Sequence, residues 1–259
     1  MKTLKVIKIG GNIINNEVGL LSFLKGFSRL NGPKILVHGG GKLASDLSNK
    51  MNIPVQLIDG RRVTNAETLD IITMVYAGKI NKNIVAKLQS FGCNSVGFTG
   101  ADGNTIIANK RSETPINYGF AGDIVKVDIS ILKILINNNI TNIFSAISHD
   151  EKGQLLNTNA DTIASELAIA FSNDYKVELY YCFEKKGVLQ RTNDENSVIK
   201  KINNKTYIEL KKSNIINEGM IPKLDNCFYA LDHNVSKVCI GQPTMLFDHH
   251  SNFTTIQKL

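Results

Sequence analysis

The sequence has no tryptophan, only five prolines and only four cysteines in 259 residues. Cys93, Cys182, Cys227 and Cys239 lack metal-ligand spacing and each sits in an apolar or mixed stretch. They exclude a zinc or disulfide framework and read as reduced thiols of a cytoplasmic protein. Long apolar runs are missing too. The longest, residues 129–136, is broken by Ser130 and Lys133, so no membrane span is expected. Near the start, Lys5 and Lys8 interrupt the apolar residues before a glycine pair, and no signal-peptide core forms. Repeats, low-complexity tracts and Pro/Gly/Ser linkers are absent.

Hydrophobic residues make up 42% of the chain, enough for a sizeable core in one large domain or two joined lobes. The net charge is +7. Such a balance suits nucleic acid, a membrane surface or anionic small substrates. The lysines are scattered, with short pairs at Lys185-Lys186, Lys200-Lys201 and Lys211-Lys212. There is no basic stripe and no aromatic platform, which disfavours nucleic acid. Most of these lysines read as solvated surface.

Strand and helix patterns alternate. Residues 4–9 and 34–38 are β-branched runs that stop at glycines, and helical spacing follows at 18–30 and 42–50. Thr64-Asn65-Ala66-Glu67 predicts a capping box before a buried helix. Residues 94–99, 141–147, 177–183 and 237–240 predict strands. Residues 104–128 predict short antiparallel strands, and 158–171, 205–213 and 222–232 predict helices. Repeated strand, glycine turn and helix imply an α/β fold with an open, mainly parallel sheet sandwiched by helices, plus a small β-hairpin region. A single domain over 1–259 is expected, with a soft boundary near residue 172 dividing lobes 1–172 and 173–259. Function in such sheets sits beyond the carboxyl ends of strands. That points to residues 8–11, 38–42, 99–103 and 184–189.

Four constellations carry chemistry. Lys8-Ile9-Gly10-Gly11 puts an ammonium beside open backbone N–H groups, an arrangement suited to phosphate, although a plain strand-to-loop turn reads the same way. His38-Gly39-Gly40-Gly41-Lys42 offers a second anion nest at a helix start. Its spacing matches neither a Walker loop nor a dinucleotide fingerprint, and His38 receives no chemical role. Asn157-Thr158-Asn159-Ala160-Asp161 supplies helix caps, ligand contacts or both. Pro222 opens a helix and sets Lys223 in its first turn, against the helix dipole, which makes sense where an anion shares the site.

With KIGG at 8–11, HGGGK at 38–42, RRVT at 61–64, NTNAD at 157–161, EKKGVL at 184–189 and EGMIPK at 218–223, the chain resembles the N-acetylglutamate kinases of the amino-acid kinase family. The likeness covers nearly the whole chain. It implies ATP-dependent phosphorylation of the side-chain carboxylate of N-acetyl-L-glutamate, a step of arginine biosynthesis, with Mg²⁺ held mainly by the nucleotide phosphates. It implies that Lys8 and Lys223 stabilise the transferring phosphoryl group and that Asp161 holds both lysines. Gly10, Gly11 and Gly40 would bind phosphate. Gly40, Gly41, Arg62, Asn157 and Asn159 would bind the acylglutamate, with Arg62 on its α-carboxylate. Glu184, Lys185, Lys186, Gly187, Val188 and Leu189, together with Ile215, Ile216 and Asn217, would line the nucleotide pocket. No protein metal site is expected.

Two departures stand out. Where members carry an Asp-Val-x-Gly type segment, this chain has Glu184-Lys185-Lys186-Gly187. The chain also starts at its first strand, whereas arginine-inhibited members carry an additional N-terminal helix; an arginine-insensitive homodimer is the expectation. N-succinylglutamate is the alternative substrate, with Lys79, Lys82, Lys110 and Lys126 as candidate partners for its added carboxylate. A different kinase of the same fold and a catalytically silent regulatory or binding protein are the rival readings.

Overall fold

The structure is a computed structural model and describes residues 1–58, 60–191, 193–216, 220–248 and 250–258. Asn217, assigned above to the nucleotide pocket, and Glu218 and Gly219 of the EGMIPK motif lie outside the described residues.

The main sheet is built on β1 (Thr3–Ile9), β2 (Lys34–His38), β5 (Ser95–Phe98), β8 (Thr141–Ser145), β11 (Lys176–Cys182), β12 (Lys201–Ile202), β13 (Lys237–Gly241) and β14 (Thr254–Ile256). Their order is β12-β14-β13-β11-β1-β2-β8-β5, and every pairing is parallel except β13 with β14. β2 and β8 are buried along their whole length, as parallel strands covered on both faces must be, and this explains their unbroken apolar character. Helix α7 (Ala160–Phe171) packs on β1, β2 and β11 and against α9 (Ile221–Asp232). Helix α5 (Asn81–Ser90) packs on β5 and β8 and against α2 (Glu17–Ser28). The expected α/β sheet flanked by helices is the observed fold.

Several elements differ from the sequence reading. The run 141–147 is two strands. β8 ends at Ser145, and after Ala146 the chain leaves the main sheet as β9 (Ile147–His149), which pairs with β10 (Leu155–Asn157). The expected antiparallel hairpin is present as β6 (Ile106–Lys110) and β7 (Gly122–Val127), and it joins β9 and β10 in a second sheet of four strands. The apolar run near 129–136 is helix α6 (Ser130–Asn137), half-buried against β8. The capping box shifts by one residue. Helix α4 (Ala66–Ile72) is capped by Asn65, whose side chain accepts the Thr68 N–H at 2.8 Å. Thr64 is instead fully buried and donates its hydroxyl to the Arg62 carbonyl at 3.0 Å. Helix α4 runs on through a π-helical stretch, Thr73–Ile80, into α5. Among the described residues no helix is long and apolar enough to cross a membrane.

Candidate active site

The carboxyl ends of β1, β2 and β8 border one cleft of about 270 Å³. Its walls include Lys8, Gly11, Gly40, Gly41, Arg62, Asn157, Asn159 and Asp161, residues spread over more than 150 positions of sequence. Lys223 joins them through Asp161.

Asp161 is the hub. It lies in the first turn of α7, where a negative charge is favoured by the helix dipole. Asn159 fixes that turn by accepting the N–H groups of Asp161 at 2.7 Å and Thr162 at 3.3 Å. The Asp161 carboxylate pairs with Lys8 Nζ through one oxygen, at 2.7 Å, and with Lys223 Nζ through the other. All three side chains are about 15% exposed, too little for water to screen the pairs. Burial alone would push the Asp161 carboxyl up. The two flanking ammonium groups outweigh it and hold the group well below the ordinary carboxylate range. Lys8 is pulled down by burial, opposed by Asp161 and reinforced by the charge of Lys223. Two cations over one anion leave the cluster one positive charge in excess, which an incoming anion would balance.

Glycines form the floor. Helices α1 (Gly11–Asn15) and α3 (Gly41–Lys50) start beside the cleft and have no side-chain cap. Among the described residues no side chain closes either start, which leaves the Gly11 and Gly41 N–H groups for an anion. A Cβ on Gly40 would collide with the Ile80 side chain and the Tyr76 ring, so only glycine fits there. Gly11 lines the cleft, whereas Gly10 sits behind it and gives its N–H to the Cys182 carbonyl at 3.0 Å.

His38 anchors the glycine loop from below. It is fully buried, its Nδ1 is 2.9 Å from the Gly39 carbonyl, and its Nε2 lies 3.1 Å from the Asn81 amide, which also donates to the Ile143 carbonyl. Those partners fit the neutral ring with the proton on Nδ1. Burial, partly opposed by the Gly39 contact, lowers its pKa to about 4. A folded-state pKa below the unfolded one means that stability present above about pH 6.5 is lost as pH falls towards 4, on the order of 3 kcal/mol. We expect urea melts of His38→Asn to lose less stability than wild type between pH 7 and 4.5; equal losses would remove His38 as the cause.

Arg62 closes the far side. It sits on β4 (Arg61–Arg62), hairpinned to β3 (Leu57–Ile58), and is 9% exposed. One terminal nitrogen donates to the Gly41 carbonyl at 2.9 Å and the Ser45 hydroxyl at 2.7 Å. The other, Nη1, is buried and has no hydrogen-bond partner among the described residues. A buried guanidinium with a free donor needs an acceptor, and a carboxylate is the matching one. Asn157 donates to the Thr64 hydroxyl at 3.0 Å, tying the Arg62-Val63-Thr64 segment to the start of α7.

Sequence reasoning missed part of this cleft. Leu57, Arg61, Tyr76, Arg111, Tyr118, Ala121, Gly122 and Ala146 also line it. Of these, Arg61 next to the RRVT arginine carried the only visible signal. Lys79, Lys82, Lys110 and Lys126 are not among the lining residues; besides Lys8 and Arg62, the lining cations are Arg61 and Arg111. Arg111 is held by a bidentate pair with Asp123. The 99–103 turn stays outside the cleft, closed by Asp102 accepting from the Thr99 N–H and hydroxyl at 2.6 and 2.8 Å.

The residues assigned to nucleotide are placed beyond β11, apart from this cleft. Glu184 edges a separate cavity between α1, α2 and the end of β13. Lys185 and Lys186 reach Glu195 at 3.9 Å and Asn196 at 3.2 Å. Gly187 packs against Thr254 and Val198, and Val188 and Leu189 are buried. Ile216 is buried and Ile215 half-buried.

Glycine nests at strand ends, two lysines sharing one aspartate and a buried arginine with a free donor make a cleft suited to small anions, built without a Walker loop. The chain belongs to the amino acid kinase family, whose model matches residues 3–242. It is 53% identical over 249 residues to the acetylglutamate kinase of Cytophaga hutchinsonii, covering 96% of this chain and 94% of that one. It is 46% identical to the acetylglutamate kinase of Bacteroides thetaiotaomicron, covering 98% of each. Among solved structures, smu.665 from Streptococcus mutans UA159 superposes with a TM-score of 0.80 at 25% identity over 98% of both chains.

Proposed function

We propose that this chain is an acetylglutamate kinase, transferring the γ-phosphoryl group of ATP to the side-chain carboxylate of N-acetyl-L-glutamate in arginine biosynthesis. The observation that carries the reading is the Lys8–Asp161–Lys223 cluster sharing one cleft with Arg62. The nucleophile is a carboxylate, ionised at neutral pH, so no general base is required. A loose phosphoryl transition state asks for alignment and charge neutralisation. Lys8 and Lys223 supply the charge, the N–H groups at Gly11 and Gly40 hold the transferring oxygens, and Arg62 grips the α-carboxylate. Asp161 orients the lysines and takes no proton. Residues 184–189 and 215–216 provide the nucleotide side. Asp161 is the only carboxylate among the described residues of the cleft lining, and both its oxygens meet lysines; Mg²⁺ would be held mainly by the nucleotide phosphates.

N-Succinylglutamate is the second reading, favoured by the position of Arg61 and Arg111 on the cleft wall. A coupled ADP-release assay with Mg-ATP separates the cases. Preference for an N-acylated glutamate supports the reaction and names the acyl group. Turnover only of free glutamate or aspartate would overturn the N-acylated substrate, and no turnover of any of them would favour a regulatory protein.

A further inference from the structure

Tyr181 lies on β11, is 1% exposed, meets Lys223 and Asp161 of the cluster and is paired across the sheet with Lys8. In the parallel register it is the cross-strand partner of Lys8, so the two side chains leave the sheet on the same face. Its ring lies beside the Lys223 ammonium, 5.1 Å from centroid to Nζ. Its hydroxyl donates to the backbone carbonyl of Asp161 at 3.1 Å. Burial keeps the phenol protonated and therefore a donor.

A second carboxylate beside Lys223 would fix the ammonium but cancel the excess positive charge. An aromatic face attracts a cation without neutralising it. We propose that Tyr181 is a positioning residue for the kinase reaction, its ring holding the Lys223 ammonium in line and its hydroxyl fixing the first turn of α7 that carries Asp161. The proposal rests on the phosphoryl-transfer reading of Lys223. It predicts that the electron density of the ring, and not merely its volume, sets turnover.

The test compares Tyr181→Phe, Tyr181→Leu and a 3,4,5-trifluorophenylalanine at position 181, with Lys223→Ala in parallel. Tyr181→Phe keeps the ring and loses one neutral hydrogen bond, so kcat is expected within about fivefold of wild type. The trifluoro ring keeps the shape and loses the attraction, so kcat is expected about tenfold below Tyr181→Phe, with KM for both substrates within about twofold. Tyr181→Leu should fall at least as far; where it fails to fold, the near-isosteric fluorinated ring still decides. Equal kcat for the Phe and trifluoro proteins would overturn the proposal, as would a loss appearing in KM alone. If Lys223→Ala itself turns over normally, the reading of the cluster fails. If Lys223→Ala loses turnover and the trifluoro protein does not, only the role of Tyr181 fails.

Discussion

Asp161→Asn is expected to lower kcat by about a hundredfold or more, the effect of losing a preorganised charge arrangement. The carboxamide occupies the same space, and its oxygen still accepts one hydrogen bond. It cannot hold two ammonium groups, because its nitrogen donates where a lysine needs an acceptor. Lys8 and Lys223 then repel each other at 15% exposure with no counter-charge, and each leaves the line of transfer. The same change should destabilise the fold by on the order of 3 kcal/mol, since one partner of a buried pair is removed. In wild type the Asp161 carboxyl titrates below its unfolded value. Its contribution to stability is therefore complete above the ordinary carboxylate range near pH 4 and is lost as pH falls through the folded-state value. Saturating kcat and urea melts at pH 7 and pH 3 test both parts. An Asn variant with near-normal kcat would remove Asp161 from the mechanism. An undiminished stability gap between the two pH values would remove it from the acid limb.

Arg62→Ala is expected to raise KM for the acylglutamate by about a hundredfold while KM for ATP moves by less than about threefold. The reason is the unpartnered Nη1. The other guanidinium nitrogen already serves Gly41 and Ser45, so the arginine is held rigid before substrate arrives and offers its free donor without further ordering. Arg62→Lys should not restore binding, because an ammonium cannot present the fork that spans Gly41, Ser45 and a carboxylate together. Initial-rate kinetics with each substrate varied in turn measure the split. Equal increases in both KM values would mean that Arg62 supports the loop and does not meet the substrate.

The parallel sheet was legible because its strands are buried on both faces and stop at glycines, as KILVH does before Gly39. Lys8 and Lys223 stood out locally, at a strand end and a helix start, while Asp161 was singled out by the resemblance; the fold brings the three side chains together. What local pattern could not mark was the wall opposite. Arg111 and Tyr118 come from the connection around the β6–β7 hairpin, and only the meeting of the two sheets brings them to Arg62. Nor could it choose between Gly10 and Gly11. The choice depends on the bond from Gly10 to β11, a strand more than 160 residues away. Tyr181 reads as one more apolar strand residue until the register sets it beside Lys8. Asn159 shows the opposite ambiguity, because it both caps α7 and lines the cleft.

Phosphate transferred to a carboxylate leaves an acyl phosphate, and that product can be trapped. An acyl phosphate reacts with hydroxylamine to give a hydroxamate, which a phosphorylated hydroxyl or amine does not. Incubation of the chain with Mg-ATP, N-acetyl-L-glutamate and hydroxylamine is predicted to yield the glutamyl hydroxamate in step with ADP, and Lys223→Ala to yield neither. ADP release without hydroxamate would mean that the acceptor is not a carboxylate.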